Sequence, residues 1–125
     1  RYSPGEYRDR LFDFAERAGC DERGLARDVV RDDGAVISPT RRLWPQTEAL
    51  KACIAMTRAG REGAEARIGV ITNRIFTDYL APAISGGWRD QLGEGGAPSG
   101  AHIPASTFYH VIGAFALAIE TLGEA

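Results

Sequence analysis

Groups suited to redox or metal chemistry are scarce in this chain. Its 125 residues hold two cysteines, Cys20 and Cys53, and two histidines, His102 and His110. The cysteines show no metal-type spacing, and no histidine pairs with another ligand at ligand spacing on one element. We therefore expect no metal, and both cysteines read as small packing residues of a reducing compartment. A disulfide between them stays open. No apolar run approaches the roughly 20 residues that cross a bilayer, and no signal-peptide pattern opens the chain. The expectation is no membrane partner and a cytoplasmic location. Excess charge of one sign is missing too: 15 basic against 17 acidic side chains leave a net charge of −2, without the basic excess of a phosphate-backbone binder. No nucleic-acid partner is expected. Position 1 is Arg rather than Met, and we expect the beginning of the protein to be missing.

What is present is ordinary globular material, 44% hydrophobic and 26% charged. It is enough for a single domain, 1–125, with one modest core. Residues 6–18 (EYRDRLFDFAERA) place Tyr7, Leu11, Phe14, Ala15 and Ala18 on one stripe of a helix, with Gly19 as its natural stop. LARDVV (25–30) and AVIS (35–38) flank Asp33-Gly34, a strong hairpin signal. A second helix spans about 41–58. Pro45 suits only its first turn, so its regular part begins nearer Trp44. Leu43, Thr47, Leu50, Ile54 and Thr57 form one stripe, and Trp44, Glu48 and Ala55 a second face on which Trp44 and Glu48 are neighbours.

Residues 62–81 form a third helix, with Ile68, Ile71, Ile75, Phe76, Tyr79 and Leu80 inward, and Glu62, Glu65, Arg67 and Arg74 solvated. Pro82 ends it. The glycine-rich stretch 84–105 reads as a long loop, with a brief strand from Trp88 to Leu92 and a flexible excursion over 94–101. The last helix starts near Ser106 or Thr107, capped by a hydroxyl. Phe108, Val111, Ile112, Phe115, Ile119 and Leu122 form its large apolar stripe; His110, Gly113, Ala114, Leu117 and Thr121 lie opposite. A helix apolar or small on both sides is sandwiched between layers. Outer helices with one apolar face thus alternate with inner ones that have two. Four helices cannot close two concentric rings, so the chain is part of something longer or covers its open side by self-association.

RRLWPQTEALKA, GGWRDQLG and IPASTFYH resemble the C-terminal part of the N-acylglucosamine 2-epimerase family, and more narrowly its mannose-isomerase-like members, often labelled mannose-6-phosphate isomerases. The resemblance spans nearly all of this chain but only about the last third of a family-length protein. It implies an all-α fold, the C-terminal portion of an (α/α)6 barrel of alternating inner and outer helices, here with a small β-hairpin. It also implies sugar isomerase or epimerase chemistry: a proton moves between the carbons flanking a sugar carbonyl, through an enediol-like intermediate, with no cofactor. His110 matches the C-terminal member of the family's acid–base histidine pair. Glu48 matches the glutamate that binds sugar hydroxyls or supports the site, Trp44 forms an apolar wall, and Trp88 and Asp90 line the mouth. The implied ligand is a monosaccharide, mannose-like or N-acylglucosamine-like.

The residue types suit that chemistry. An imidazole titrates near working pH and can both take and return a proton. The blander alternatives stand beside it: His110 as a satisfied core histidine, Glu48 as an acid paired with Lys51 or Arg41, Trp44 and Trp88 as packing anchors, His102 as a solvated loop residue. The family's other catalytic histidine, followed by a glutamate three residues on, has no counterpart here, nor has its N-terminal arginine. The expectation is a fragment or truncated relative of a sugar epimerase that does not turn over sugar by itself. The competing expectation is a non-catalytic helical module that self-associates as a homo-oligomer or binds a partner chain.

Overall fold

A computed structural model describes residues 1–81 and 85–123; the expected helix stop at Pro82 and the loop start at Ile84 lie outside them. Helix α1 (Pro4–Phe14) opens on a device absent from the sequence reading. The Ser3 hydroxyl accepts the Glu6 N–H at 3.3 Å, and the Glu6 carboxylate accepts the Ser3 N–H at 2.7 Å. These reciprocal bonds satisfy two otherwise orphaned donors, and Pro4 supplies a φ already suited to the first turn. The helix widens into a π-helical run, Ala15–Gly19. Gly19 closes that run without a positive φ, so it is not the left-handed terminator expected of it. The expected inward stripe is also corrected: Tyr7 and Leu11 are 55% and 67% exposed, and Phe12 packs against the core instead. Apolar spacing defines a face but does not say what covers it.

The predicted ribbon forms. Strands β1 (Val29–Val30) and β2 (Val36–Ser38) pair antiparallel, with Val30 opposite Val36. Gly34 turns the chain at φ 90°, and its N–H reaches the Arg31 carbonyl at 2.9 Å. The next pairing is non-local. Strand β3 (Arg41–Arg42) lies antiparallel to β4 (Gln91–Leu92). The brief strand expected at Trp88–Leu92 is thus confined to its last two residues, and 94–101 holds a short 3-10 turn, Glu94–Gly96.

Helix α2 (Leu43–Arg58) is the centre of the molecule, packed on one side by α3 (Ala64–Arg74) and on the other by α4 (Ala105–Gly123). Its expected stripe is the core: Leu43, Thr47, Leu50 and Ile54 are buried. On α3 and its π-helical continuation Ile75–Leu80, Ile68, Ile71, Ile75 and Tyr79 are buried as expected. Phe76 is not, being 50% exposed, because the wider turn rotates it away from the position a 3.6-residue period assigns. Arg67, expected to be solvated, is half-buried and bonds the Glu16 carboxylate at 2.6 Å and the Gly24 carbonyl at 3.1 Å.

Helix α4 begins at Ala105, earlier than expected. Its covered side lies between the two expected faces, burying Thr107, Ala114, Ala118 and, from the large stripe, Val111, whereas Phe108, Ile112, Ile119 and Leu122 are 53–72% exposed. Small side chains let two helix backbones approach closely, and Thr107, Ala114 and Ala118 supply them on the covered side. By length and mean hydropathy (19 residues, 1.3) α4 is apolar enough to cross a bilayer, contrary to the expectation drawn from apolar runs. The cause is that it is apolar or small on both sides, as a core helix can be. Its packing on α2 is joined by a bond from the Arg58 guanidinium to the Thr121 hydroxyl at 2.9 Å.

Polar ties lock the connections to this core. The Asp21 carboxylate accepts the Leu25 and Arg23 N–H groups at 2.9 Å each, together with the Arg41 guanidinium. Arg41 also donates to the Gly93 carbonyl, and the Tyr79 hydroxyl donates to the Arg41 carbonyl at 3.1 Å. Gln46 exchanges two 2.8 Å bonds with the Ala26 backbone. Three distant segments therefore converge on β3, the residue pair that leads into α2.

Candidate active site

The start of α2 and the second turn of α4 place three of the sequence-nominated residues together. Trp44 and Glu48 are one turn apart on α2, as their spacing requires. His110 meets both from α4: its Nδ1 lies 2.8 Å from Glu48 Oε1, and its ring centroid lies 5.8 Å from that of Trp44, the planes tilted by 41°. All three are partly open to solvent, with the Glu48 and His110 side chains 42% and 32% exposed. The arrangement is an exposed face of the α2–α4 layer.

Burial alone would raise the Glu48 carboxyl. Hydrogen bonds from Lys51 and His110, and the charges on both, outweigh that effect and hold it below the usual carboxylate value. An ionised carboxylate can only accept, so Nδ1 of His110 carries a hydrogen. In the neutral ring the lone pair is then on Nε2, the nitrogen not tied to Glu48. The pair thus leaves Nε2 as the atom able to take a proton.

Trp88 does not join this cluster. Its ring stacks on Phe108 at 6.4 Å with planes 19° apart, and its indole N–H donates to Asp90 at 3.2 Å. The Thr107 hydroxyl donates to the same Asp90 oxygen at 2.9 Å. The hydroxyl expected to cap α4 is therefore spent on a tertiary bond, and Asp90 acts as a clasp on the helix start. Trp88 also packs against the core, the anchor alternative in the sequence. His102 is an exposed loop residue.

Three neighbours were missed as site residues. Lys51 Nζ lies 2.8 Å from Glu48 Oε1; the sequence raised it only as a structural partner, although the three-residue separation was visible. Tyr109 stands edge-on to His110 at 5.6 Å, and the Arg42 guanidinium lies 5.6 Å over the Trp44 ring. Both lie inside the family-like segments RRLWPQTEALKA and IPASTFYH, yet neither was singled out. Cys20 and Cys53 are free, with Cys53 buried in the core.

Comparisons with known proteins bear on what this face is for. The sequence model of N-acylglucosamine 2-epimerase (GlcNAc 2-epimerase) matches residues 7–114. A curated relative, "Mannose-6-phosphate isomerase" of Rhizobium meliloti (strain 1021), is 40% identical over 108 residues, covering 82% of this chain and 28% of that protein. The chain therefore spans less than a third of its curated relative's length. Among solved structures, the crystal structure of D-mannose isomerase superposes with a TM-score of 0.79 at 24% identity, over 90% of this chain and 30% of that one. It shares the fold of the corresponding segment.

Proposed function

The chain belongs to the N-acylglucosamine 2-epimerase family, and from that premise we propose that it is the part of a sugar isomerase or epimerase that carries one proton-transferring histidine. Residues 1–125 are one domain, a portion of an (α/α)6 barrel in which α2 and α4 are inner helices and α1 and α3 outer ones. The ligand is a monosaccharide, mannose-like or N-acylglucosamine-like. His110 is the catalytic residue, acting through Nε2 on a proton at a carbon beside the sugar carbonyl. Glu48 holds the imidazole and balances its charge once protonated. Trp44 offers an apolar ring face to the C–H side of the sugar, and Trp88 shapes the rim through Asp90 and Thr107. No cofactor is required, because an enediol-like intermediate needs only an acid and a base flanking two carbons. The protein is soluble and cytoplasmic.

One observation carries this reading: the bond between Glu48 and His110, bridging α2 and α4 beside the Trp44 ring, in a chain of this family. The only other histidine of the chain, His102, stands in an exposed loop, so in this reading the second proton-transferring histidine of the family lies outside these 125 residues. The exposed apolar sides of α1 and α4 suit helices that would complete the barrel. The test follows imidazole NMR signals as D-mannose or N-acetylglucosamine is added. The expected result is a saturable shift of His110, lost in Trp44→Ala, with no exchange of the C2 proton into deuterated solvent. No saturable shift with either sugar overturns the carbohydrate assignment; robust isomerase or epimerase turnover by the 125 residues overturns the incompleteness.

A further inference from the structure

The Glu48 carboxylate accepts from two donors on one atom. Oε1 takes both the Lys51 ammonium and His110 Nδ1, each at 2.8 Å. Lys51 is the only lysine in a chain that otherwise uses arginine for its basic side chains. It also reaches toward α4 at a place where that helix has no side chain: a Cβ on Gly113 would stand 3.8 Å from Nζ. The ammonium thus lies between the two helices, donating to the oxygen that the imidazole uses.

We propose that Lys51 is a positioning residue for His110. By anchoring Glu48 Oε1 from below, it fixes the carboxylate rotamer that accepts Nδ1–H, and so keeps the proton on Nδ1 and the lone pair on Nε2. The alternative role of such a pair is a helix-stabilising contact three residues apart, which would be indifferent to the imidazole. The geometry argues otherwise, because a carboxylate has two oxygens and a purely local pair has no reason to share the one His110 occupies. A point ammonium with rotatable donors suits this task, since it can bond the carboxylate without the planar fork that would claim both oxygens. This rests on His110 being the proton-transferring group, and it adds the residue that sets which nitrogen is available.

The charged and titratable groups around His110 are few. Glu48 and Lys51 face it from α2, Tyr109 adjoins it on α4, and Arg42 of β3 lies beyond the Trp44 ring. The test is nitrogen-detected NMR of the imidazoles in the folded chain, in a His102→Gln background that leaves a single ring to observe. Lys51→Met, with the fold checked by circular dichroism, is expected to lower the Nδ1–H tautomer population at high pH. It should also raise the His110 titration midpoint by about half a unit or more, because a competing cation is gone. Lys51→Arg, whose planar fork would claim both carboxylate oxygens, is expected to lower the Nδ1–H population as well. Acetylation of the one lysine side chain reproduces the Met result without mutagenesis, should the Met variant fail to fold. An unchanged tautomer overturns the proposal, and so does a midpoint that rises alone, because Lys51 would then be only a nearby charge. The measurement needs no sugar, so its outcome is independent of whether the carbohydrate assignment survives.

Discussion

Replacing Asp21 with Asn is expected to cost this protein a large part of its stability, although the residue lies outside the three segments that carry the family resemblance. The Asp21 and Arg41 side chains are 3% and 6% exposed, and their pairing joins the loop after α1 to β3. Arg41 bonds the Gly93 carbonyl as well, so the guanidinium is committed and cannot turn to water. The substitution keeps a carbonyl oxygen for the Leu25 and Arg23 N–H groups but strips the counter-charge from a buried cation. Breaking a buried pair from one side costs about 3–5 kcal/mol, against about 5–15 kcal/mol for a whole domain. With a urea slope of about 2 kcal/mol per molar, the midpoint should fall by about 1.5–2.5 M. Replacing both partners with apolar residues, Asp21→Leu with Arg41→Met, should recover much of that loss. The pH dependence supplies a second check. Burial would raise the Asp21 carboxyl, but the Leu25 N–H and Arg41 hold it below the ordinary value. Its stabilisation is therefore present above about pH 4, where the unfolded group is ionised, and is lost as pH falls through the depressed folded value. The gap between wild type and Asp21→Asn should close on that acid limb. A midpoint shift below about 0.3 M at neutral pH and unchanged slope would refute the reasoning.

Gly113→Ala should be tolerated and gain about 0.5–1 kcal/mol by urea denaturation, since the added methyl meets Lys51 at an ordinary 3.8 Å and helix interiors favour alanine. Tyr79→Phe leaves the buried Arg41 carbonyl without its 3.1 Å partner and should cost about 1–3 kcal/mol by the same assay. Burial pushes both thiols up to about 11. At pH 8 about a thousandth of each is thiolate, so a disulfide-exchange reagent should label the folded chain far more slowly than the urea-unfolded one. Ile119→Ser, at 72% exposure, should change the midpoint by no more than about 0.5 kcal/mol equivalent.

Local patterns in the sequence revealed what depends on neighbours along the chain. The Asp33-Gly34 hairpin, the stripe of α2 and the Trp44–Glu48 adjacency all follow from spacing and turn chemistry. The side of α4 that is covered did not follow, because both sides are apolar or small and only the partner decides. Strands β3 and β4 are two residues each and pair across about two-fifths of the chain, so no periodicity could disclose them. Thr107 illustrates the same limit: a hydroxyl at a helix start is a cap by local rules, and a distant Asp90 outbids the backbone for it. In the candidate site, the two residues on α2 were legible through their separation, and His110 through the small face it shares. Lys51 sharing Oε1 with the imidazole was not, since that requires knowing the distance between two helices.

That distance is a ruler set by alanine and glycine. Val111, Ala114 and Ala118 are buried side chains of α4, and Gly113 sets no side chain against the Lys51 ammonium. A bulkier residue at position 114, facing away from any ligand, would lift the imidazole off its carboxylate without touching either. Displacements of an ångström can cost catalytic groups about a hundredfold. The tolerances of the chemistry are therefore written in methyl groups one to two turns of helix away from where a proton would move.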